Sequence, residues 1–298
     1  MMKLAINLSP KMKMYSYPEV FSLFSSVGFE YADFMLNDLT HDESPMCGDG
    51  WREYAGEVRT TAEKFGLKIV QTHAPFRFTN WDDPEYFENI IFARTVRSLE
   101  ISAILGAEVC VVHGLQYLPY DENAEKLFDM NMEFYRRLLP YAEKFGVKIG
   151  VENLWQRDKR RKCIVRSVCG YTDEFIRYID TLSSPYAVAC VDVGHAGLVP
   201  GGDEAQDMIR KLGDRVGALH VHDNDYQGDL HMMPYFGKMD WNEITNALAE
   251  INYNGVFTYE VGDSLFTCTD SSFHTLGAKI MYDVGVHLTE LIESKRRT

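Results

Sequence analysis

Short apolar runs and amphipathic segments alternate along the chain. The first apolar run covers residues 3–8 and precedes a helical pattern that begins near Pro18, a residue suited to a first helical turn. A second run covers residues 31–36 and leads into a polar loop. This alternation predicts strands that are each followed by a helix. Later runs cover residues 147–152, 186–191, 216–221 and 255–260, with helical patterns near residues 172–182, 203–212, 240–251 and 273–292.

The junctions between helices and strands repeat a common signature. Glu63-Lys64-Phe65-Gly66 and Glu143-Lys144-Phe145-Gly146 both precede apolar runs, and Leu105-Gly106-Ala107 holds the same position before another run. A glycine there is typical of the end of a helix. Counting runs and junctions gives eight strands and eight helices. Because buried strands that alternate with helices indicate a parallel sheet, we predict an α/β fold, a single (β/α)8 TIM barrel domain over residues 1–298.

Six of the apolar runs end on a residue type that binds divalent metal ions. A lone histidine or carboxylate at a strand end is more often structural or a helix N-cap, but six in succession indicate a metal site. Their spacing of roughly 30 to 40 residues matches one strand plus one helix, and parallel strands would bring all six to the C-terminal face of a barrel. The runs are Val70-Gln71-Thr72-His73, Val111-Val112-His113, Gly150-Val151-Glu152, Cys190-Val191-Asp192, Ala218-Leu219-His220 and Thr258-Tyr259-Glu260.

Three further residues extend this set of candidate metal ligands. His195 lies three positions after Asp192, and Asp229 and His231 lie in the loop after the seventh strand. The set then holds five histidines and four carboxylates. Mixed nitrogen and oxygen ligands suit zinc, manganese, iron or cobalt and argue against calcium or magnesium. Nine ligands exceed the needs of one ion, so we expect two or three ions, or one ion with the other residues binding substrate.

Several motifs resemble those of one known superfamily. Over nearly the whole chain, the sequence resembles the xylose isomerase-like TIM barrels, which include sugar isomerases and epimerases and the AP endonucleases of the endonuclease IV type (AP endonuclease family 2). The motifs are Glu152-Asn153, Asp192-Val193-Gly194-His195, Leu219-His220-Val221-His222-Asp223 and Asp229-Leu230-His231…Pro234…Gly237…Asp240-Trp241.

The resemblance implies two alternative descriptions of the site. In the isomerase and epimerase branch, one divalent ion is held by four side chains that match Glu152, Asp192, His220 and Glu260. The two glutamates are also the catalytic residues that move protons, and the match of His195 contacts substrate. In the endonuclease branch, a trinuclear zinc cluster uses nine positions, which match His73, His113, Glu152, Asp192, His195, His220, Asp229, His231 and Glu260.

Net charge and one departure from the motif bear on the choice between these branches. The formal charge of −14 disfavours nucleic acid as a partner, because an acidic protein repels polyanions. The segment from His231 to Trp241 also looks more like the isomerase-type proteins. That branch, however, often carries an arginine six residues past the histidine of the seventh strand, and this chain has Tyr226 there.

We therefore predict a metal-dependent sugar or sugar-phosphate isomerase or epimerase. It would transfer a proton at a metal-bound hydroxy-carbonyl group of a small-molecule substrate, with one to three zinc or manganese ions as cofactor. The first alternative is an endonuclease IV-like phosphodiesterase with a trinuclear zinc centre. The second is a non-catalytic, metal-dependent sugar-binding or regulatory barrel.

Other residues near the predicted strand ends are candidates for contact with substrate. Trp155, His195 and His222 are the predicted substrate-binding residues, although His222 can also support a ligand from behind. The basic segment 157–162 can bind a phosphate or a nucleic-acid backbone, or it can form a solvated loop or a homo-oligomer contact. His41, His274 and His287 receive no role. The aromatic residues that can stack on a sugar, or pack within loops, are Phe76, Trp81, Tyr117, Trp155 and Phe236.

The sequence also bears on cellular location. The start of the chain, Met1-Met2-Lys3, runs straight into a predicted strand and does not resemble a signal peptide. No apolar stretch approaches the roughly 20 residues of a membrane helix. The cysteines form no CxxC pair and are expected to be reduced, which predicts a cytoplasmic protein. They are Cys47, Cys110, Cys163, Cys169, Cys190 and Cys268.

Overall fold

The computed structural model describes residues 2–8, 15–262, 266 and 270–296. Eight parallel strands form one sheet whose order follows the chain, with the eighth strand beside the first. Cys268 lies outside the described residues. The strands are β1 (Lys3–Leu8), β2 (Tyr31–Met35), β3 (Lys68–His73), β4 (Val109–Val112), β5 (Lys148–Glu152), β6 (Ala187–Asp192), β7 (Val216–His220) and β8 (Val256–Tyr259).

The sheet closes where β7 meets β8. Val221, directly after β7, forms a parallel bridge with Tyr259 of β8. The Val221 amide donates to the Thr258 carbonyl at 2.8 Å, and the Glu260 amide donates to the Val221 carbonyl at 3.0 Å. The prediction of an α/β TIM barrel is thereby confirmed.

Helices cover the outside of the barrel between successive strands. A π-helical segment, Phe87–Phe92, and a short turn, Pro84–Tyr86, lead into the third helix, and 3-10 turns occupy Asn37–Thr40 and Gly213–Arg215. The helices are α1 (Tyr17–Val27), α2 (Trp51–Lys64), α3 (Ala93–Leu105), α4 (Tyr120–Phe145), α5 (Thr172–Leu182), α6 (Ala205–Leu212), α7 (Trp241–Glu250) and α8 (Ser271–Arg296).

Local sequence sets where these helices begin and end. Ser16 precedes α1, and its amide donates to the Glu19 carboxylate at 2.8 Å, so an otherwise unpaired backbone donor is satisfied. The glycines of the three repeated junctions, Gly66, Gly106 and Gly146, have φ of +80°, +91° and +69°. These left-handed conformations terminate α2, α3 and α4, as the repeated signature predicts.

The barrel interior explains why the strand ends carry chemistry. Val109 and Val111 of β4, Cys190 of β6 and Ala218 of β7 form a small buried cluster inside the barrel. Side chains on one face of a strand recur every two residues. Two positions further along, the next inward-facing residues of these strands are therefore His113, Asp192 and His220, at the C-terminal mouth. The same alternation places His222 on the inward face after β7.

The basic segment 157–162 is largely exposed, as expected for a solvated loop. It is the turn of a β-hairpin whose antiparallel strands are Trp155–Arg157 and Ile164–Arg166. Asp158 Oδ1 accepts from the amides of Arg160 and Arg161, each at 2.8 Å, which stabilises the turn. Three-residue strands give too short an alternation to be recognised in the sequence.

A long loop between β7 and α7 is organised by one buried carboxylate, Asp223. It accepts from the amides of Tyr235 at 3.0 Å and Gly237 at 3.1 Å and from the Trp241 indole at 2.8 Å. A Cβ at position 237 would lie 2.2 Å from Asp223 Oδ1, so a glycine is required there. The loop that carries Asp229 thus has a fixed conformation.

Two further observations concern membrane-spanning helices and the cysteines. No helix in the described part of the chain is long and apolar enough to span a membrane. Five cysteines of this part are free thiols: Cys47, Cys110, Cys163, Cys169 and Cys190.

Candidate metal centre

All nine predicted ligands lie at the C-terminal mouth of the barrel, and their donor atoms fall into three groups. His113 and Glu260 directly follow β4 and β8, and His195 lies in the turn after β6. Within each group, one donor atom per residue lies within 4.8 Å of every other. The remaining predicted ligands are His73, Glu152, Asp192 and His220, which end β3, β5, β6 and β7, and Asp229 and His231 in the loop after β7.

The first group consists of His73, His113 and Glu152. The Nε2 atoms of the two histidines are 3.1 Å apart. Oε2 of Glu152 lies 3.0 Å from Nε2 of His113 and 3.5 Å from Nε2 of His73. Three donors therefore converge on one point from three adjacent strands.

The second group consists of Glu152, Asp192, His220 and Glu260. Nδ1 of His220 is central to it, at 3.1 Å from Glu260 Oε2, 3.5 Å from Glu152 Oε1 and 3.9 Å from Asp192 Oδ2. Glu152 belongs to both the first and the second group and directs one oxygen toward each. A carboxylate in this position can bridge two ions.

The third group consists of His195, His222, Asp229 and His231. Oδ2 of Asp229 lies 3.3 Å from Nε2 of both His195 and His231. His222 was predicted to contact substrate or to support a ligand; its Nε2 lies 3.0 Å from Asp192 Oδ1, and it also lies among the candidate ligands. Trp155 donates from its indole to Asp229 Oδ2 at 3.2 Å, so this predicted substrate residue borders the same group.

Hydrogen bonds to backbone carbonyls orient three of the histidines. Nδ1 of His73 lies 2.7 Å from the Ala74 carbonyl, and Nδ1 of His231 lies 2.7 Å from the Glu260 carbonyl. His195 makes the same contact with the Asn153 carbonyl at 2.9 Å. Metal-binding histidines usually donate their second nitrogen in this way. Each ring therefore presents Nε2 as a lone-pair donor to its group.

Unpaired polar atoms provide a test of whether a cation fits. Among the described residues, Glu152 Oε2, both nitrogens of His220 and Asp229 Oδ1 are buried without a hydrogen-bond partner. A buried polar atom without a partner is costly, and each of the three donor groups contains at least one such atom that a cation could satisfy. The donor set and its geometry therefore fit divalent ions.

The electrostatics of the centre also fit divalent ions. Burial opposes ionisation of Glu152, but His113 and His220 outweigh it and hold the pKa of this carboxyl well below its usual range. Burial also opposes protonation of His220, yet Glu260 and Glu152 raise its pKa to about 10. Against burial, Asp229 and Glu260 raise the pKa of His231 to about 9. Protons on these histidines balance the carboxylates when no ion is bound.

Two supporting residues received no role in the sequence analysis, although Asn153 belongs to the Glu152-Asn153 motif. Asp33, inside β2, is fully buried, accepts from the Asn7 amide group at 2.7 Å and lies 3.9 Å from Nε2 of His220. Asn153 accepts from the Asp192 amide at 2.8 Å and thereby aligns β5 with β6. The signal for Asp33 was a carboxylate in the middle of an otherwise apolar run.

The remaining sequence candidates divide between the mouth and its surroundings. The Phe76 ring lies 4.2 Å from the His113 ring, at the first group. Trp81 and Tyr117 stack on each other at 4.9 Å, and Phe236 is exposed. Tyr226, where an arginine is common, donates to Glu204 at 2.7 Å, so its hydroxyl is engaged outside the three groups.

The three histidines without an assigned role lie outside the described metal groups. His274 is buried and hydrogen-bonded to the Tyr15 hydroxyl. His287 lies beside the Tyr235 ring, at 6.1 Å between ring centroids. His41 is exposed.

Several known proteins are similar to this chain in sequence. An uncharacterized protein, y4fM, of Sinorhizobium fredii is 26% identical over 201 residues, which are 66% of this chain and 60% of that protein. D-psicose 3-epimerase of Enterocloster bolteae is 27% identical over 222 residues, 70% of this chain and 66% of the epimerase. The chain therefore matches less than two thirds of the length of these relatives.

Solved structures and a family model extend the comparison. A crystal structure of D-psicose 3-epimerase in the presence of D-fructose superposes with a TM-score of 0.72 at 16% identity, over 96% of this chain and 99% of the other. The structure of L-ribulose 3-epimerase gives a TM-score of 0.72 at 15% identity, over 100% and 96% of the two chains. The model of the family described as xylose isomerase-like TIM barrel matches residues 21–272. The chain therefore belongs to the xylose isomerase-like TIM barrel family, as its motifs predict.

Proposed function

We propose that this protein is a metal-dependent sugar isomerase or epimerase. The observation that carries the proposal is the second group, in which the carboxylates of Glu152 and Glu260 approach the same nitrogen of His220 at 3.5 and 3.1 Å. Two carboxylates at one point of a barrel mouth can exchange a proton with a substrate carbon. The similarity to D-psicose 3-epimerase supports the same substrate class.

The second group would hold the ion that this chemistry requires. A divalent ion supplies Lewis-acid polarisation of a hydroxy-carbonyl group, and the mixed donors favour zinc or manganese. Glu260 is the more accessible glutamate, with 16% of its side chain exposed against 1% for Glu152. We therefore assign Glu260 to proton removal at the substrate and Glu152 to proton return. Asp192 and His220 complete the ligand set.

Residues around the mouth would position the sugar. His195 and the Trp155 indole both contact Asp229, at 3.3 and 3.2 Å, and border the open side of the centre. Phe76 lines the opposite side beside His113. We infer that these side chains hold a small sugar or sugar phosphate across the barrel mouth. The free thiols of the described cysteines are consistent with a cytoplasmic location.

Solvent-deuterium uptake tests the proposal. The metal-loaded protein is incubated in D2O with a panel of ketoses and their phosphates, and deuterium at the carbon next to the carbonyl is measured by NMR. Exchange with at least one sugar is the expected result. No exchange with any of them, together with cleavage of an abasic-site oligonucleotide, would contradict it.

One observation favours a second function, metal-dependent phosphodiester hydrolysis. All three donor groups are present, and Glu152 is shared by two of them, which is how a multinuclear hydrolase would be built. The net charge of −14 opposes binding of a nucleic acid. Cleavage assays on abasic-site DNA and on a small phosphodiester separate this function from proton exchange.

A further inference from the structure

The third group contains His222 in addition to His195, Asp229 and His231, the three ligand positions that the family resemblance implied. His222 is fully buried, and its Nε2 lies 3.7 Å from Asp229 Oδ1. His195 and His231 are each 3.3 Å from Asp229 Oδ2. Bonds of about 2.0 Å in a tetrahedral zinc site leave neighbouring ligand atoms about 3.3 Å apart. The distances from Asp229 to His195 and His231 therefore match this spacing, and that to His222 is slightly longer; all four donor atoms lie within 4.8 Å of one another.

The backbone is shaped around the His222 ring. A Cβ at Gly194 would lie 1.9 Å from Cε1 of His222, so any larger residue would displace the imidazole. The ring also stacks on His231, at 4.2 Å between centroids and 20° between planes. The glycine in Asp192-Val193-Gly194-His195 is therefore the residue that admits His222 to the group.

We propose that His222 is the fourth protein ligand of a coordinatively complete zinc ion in the third group, with His195, Asp229 and His231. This inference rests on the proposal that the barrel mouth binds metal ions. Structural zinc sites have four protein ligands, whereas catalytic sites keep one position open. An ion held by all four residues would fasten the loop of Asp229 and His231 to the turn after β6.

A complete ligand shell also bears on the two candidate functions. A tetrahedral ion with four protein ligands has no position for an attacking water or a phosphate oxygen. The third group would then support the mouth rather than bind substrate. The second group also offers four protein side chains, so its ion would bind substrate only as an additional ligand beyond these four. A closed third ion disfavours a hydrolase that needs three open ions.

His222 has one competing role, which is to hold Asp192 of the second group. Its Nε2 lies 3.0 Å from Asp192 Oδ1, within hydrogen-bonding distance. The two roles predict different consequences when the imidazole is removed. Loss of a ligand weakens the ion of the third group, whereas loss of a support for Asp192 weakens the ion of the second.

Titration of the metal-free chain with Co²⁺, followed by visible absorption and by metal counting, distinguishes these roles. We expect three ions per chain, one of them with the intense absorption of tetrahedral Co²⁺. His222→Ala should lose this absorption and bind the corresponding ion at least 10-fold more weakly. Asp229→Ala should produce the same change, and Glu260→Gln should leave the tetrahedral absorption in place.

Further variants control for misfolding and for the general effect of removing a histidine. His41→Ala removes an exposed histidine outside the groups and should leave all three affinities unchanged. Gly194→Ala keeps the imidazole but displaces it, and should also lose the tetrahedral absorption. His222→Gln provides a second, closer substitution if His222→Ala does not fold.

Three outcomes would overturn the inference. They are a wild-type chain without tetrahedral absorption, a His222→Ala chain that keeps this absorption at full affinity, and a His222→Ala chain that keeps it and instead loses the ion of the second group. Failure of the proposed function is a separate result. Tetrahedral Co²⁺ without proton exchange on any sugar would refute the epimerase alone. Proton exchange without a tetrahedral ion would refute only the role of His222.

Discussion

At the scale of single residues, the chemistry of the centre depends on how each side chain is paired. Glu152 directs one oxygen to His113 and the other toward His220, at 3.0 and 3.5 Å, so it is needed by two groups at once. Glu260 belongs to one group and remains partly accessible. We expect changes at Glu152 to remove metal, and conservative changes at Glu260 to separate metal binding from proton transfer.

Glu260→Gln tests that separation. The amide keeps an oxygen for the ion but cannot accept a proton, so deuterium exchange should fall by roughly 10²–10⁴-fold while metal content persists. Exchange rates by NMR and metal content by mass spectrometry measure the two effects. Glu250→Gln, on the surface of α7 and paired with Arg210, is the matched control. A Glu260→Gln chain with full metal and full exchange would remove Glu260 from the proton-transfer role.

Metal affinity should rise with pH. The pKa of His220 is raised to about 10 and that of His231 to about 9 when no ion is bound, so both rings carry protons at neutral pH. An ion must displace these protons, and each proton released steepens the increase of affinity with pH up to those pKa values. Calorimetry of Zn²⁺ binding at pH 6, 7 and 8 in several buffers measures the release. Affinity independent of pH would contradict this account.

At the scale of secondary structure elements, strand ends and one organised loop build the site. Period-two alternation turns His113, Asp192 and His220 inward above the apolar cluster of the barrel. In the loop after β7, Asp223 ties together the later part, from Tyr235 to Trp241, and the Glu260 carbonyl orients His231 of the third group. Strand geometry thus positions the first two groups, and loop geometry positions the third.

Two glycine substitutions compare how tightly this loop and helix α2 are packed. Gly237→Ala would force a Cβ to within 2.2 Å of Asp223 Oδ1 and 2.3 Å of the Asn224 carbonyl, so we expect a loss of about 1–3 kcal/mol in the free energy of unfolding. Gly56→Ala, in α2, meets nothing within 4 Å and should instead stabilise by roughly 0.5–1 kcal/mol. Urea unfolding measures both. Equal effects of the two substitutions would be inconsistent with a tightly packed loop.

At the scale of the whole molecule, the candidate metal centre draws its residues from most of the barrel. The ligands come from β3 to β8 and from two loops, so an ion there connects most of the barrel. The formal charge of −14 attracts cations and repels polyanions, which suits metal binding and disfavours a nucleic acid. When ions are removed, only protons on histidines such as His220 and His231 balance the buried carboxylates.

Chelation should therefore lower the stability of the whole chain. An ion that binds only the folded state adds about 2.7 kcal/mol to the free energy of unfolding at a concentration 100 times its Kd. Thermal unfolding with EDTA and with increasing Zn²⁺ should give a Tm that rises with the logarithm of metal concentration. A Tm that changes neither with EDTA nor with added Zn²⁺ would mean that these groups hold no ion.

The alternation of apolar runs and helices predicted the fold by itself, and the strand ends predicted six of the nine candidate ligand positions. The reason is local: parallel strands share one direction, so residues such as His73, Glu152 and Glu260 meet at one face whatever the details of packing. Their division into three groups was decided only by the tertiary structure, because distances across the mouth depend on the register of the closed sheet. The partners of His222 and of Asp33 belong to that category, as does the hairpin after β5. Local alternation turns His222 inward, but its contacts, like those of Asp33, join residues far apart in the chain and are not encoded by a short-range pattern.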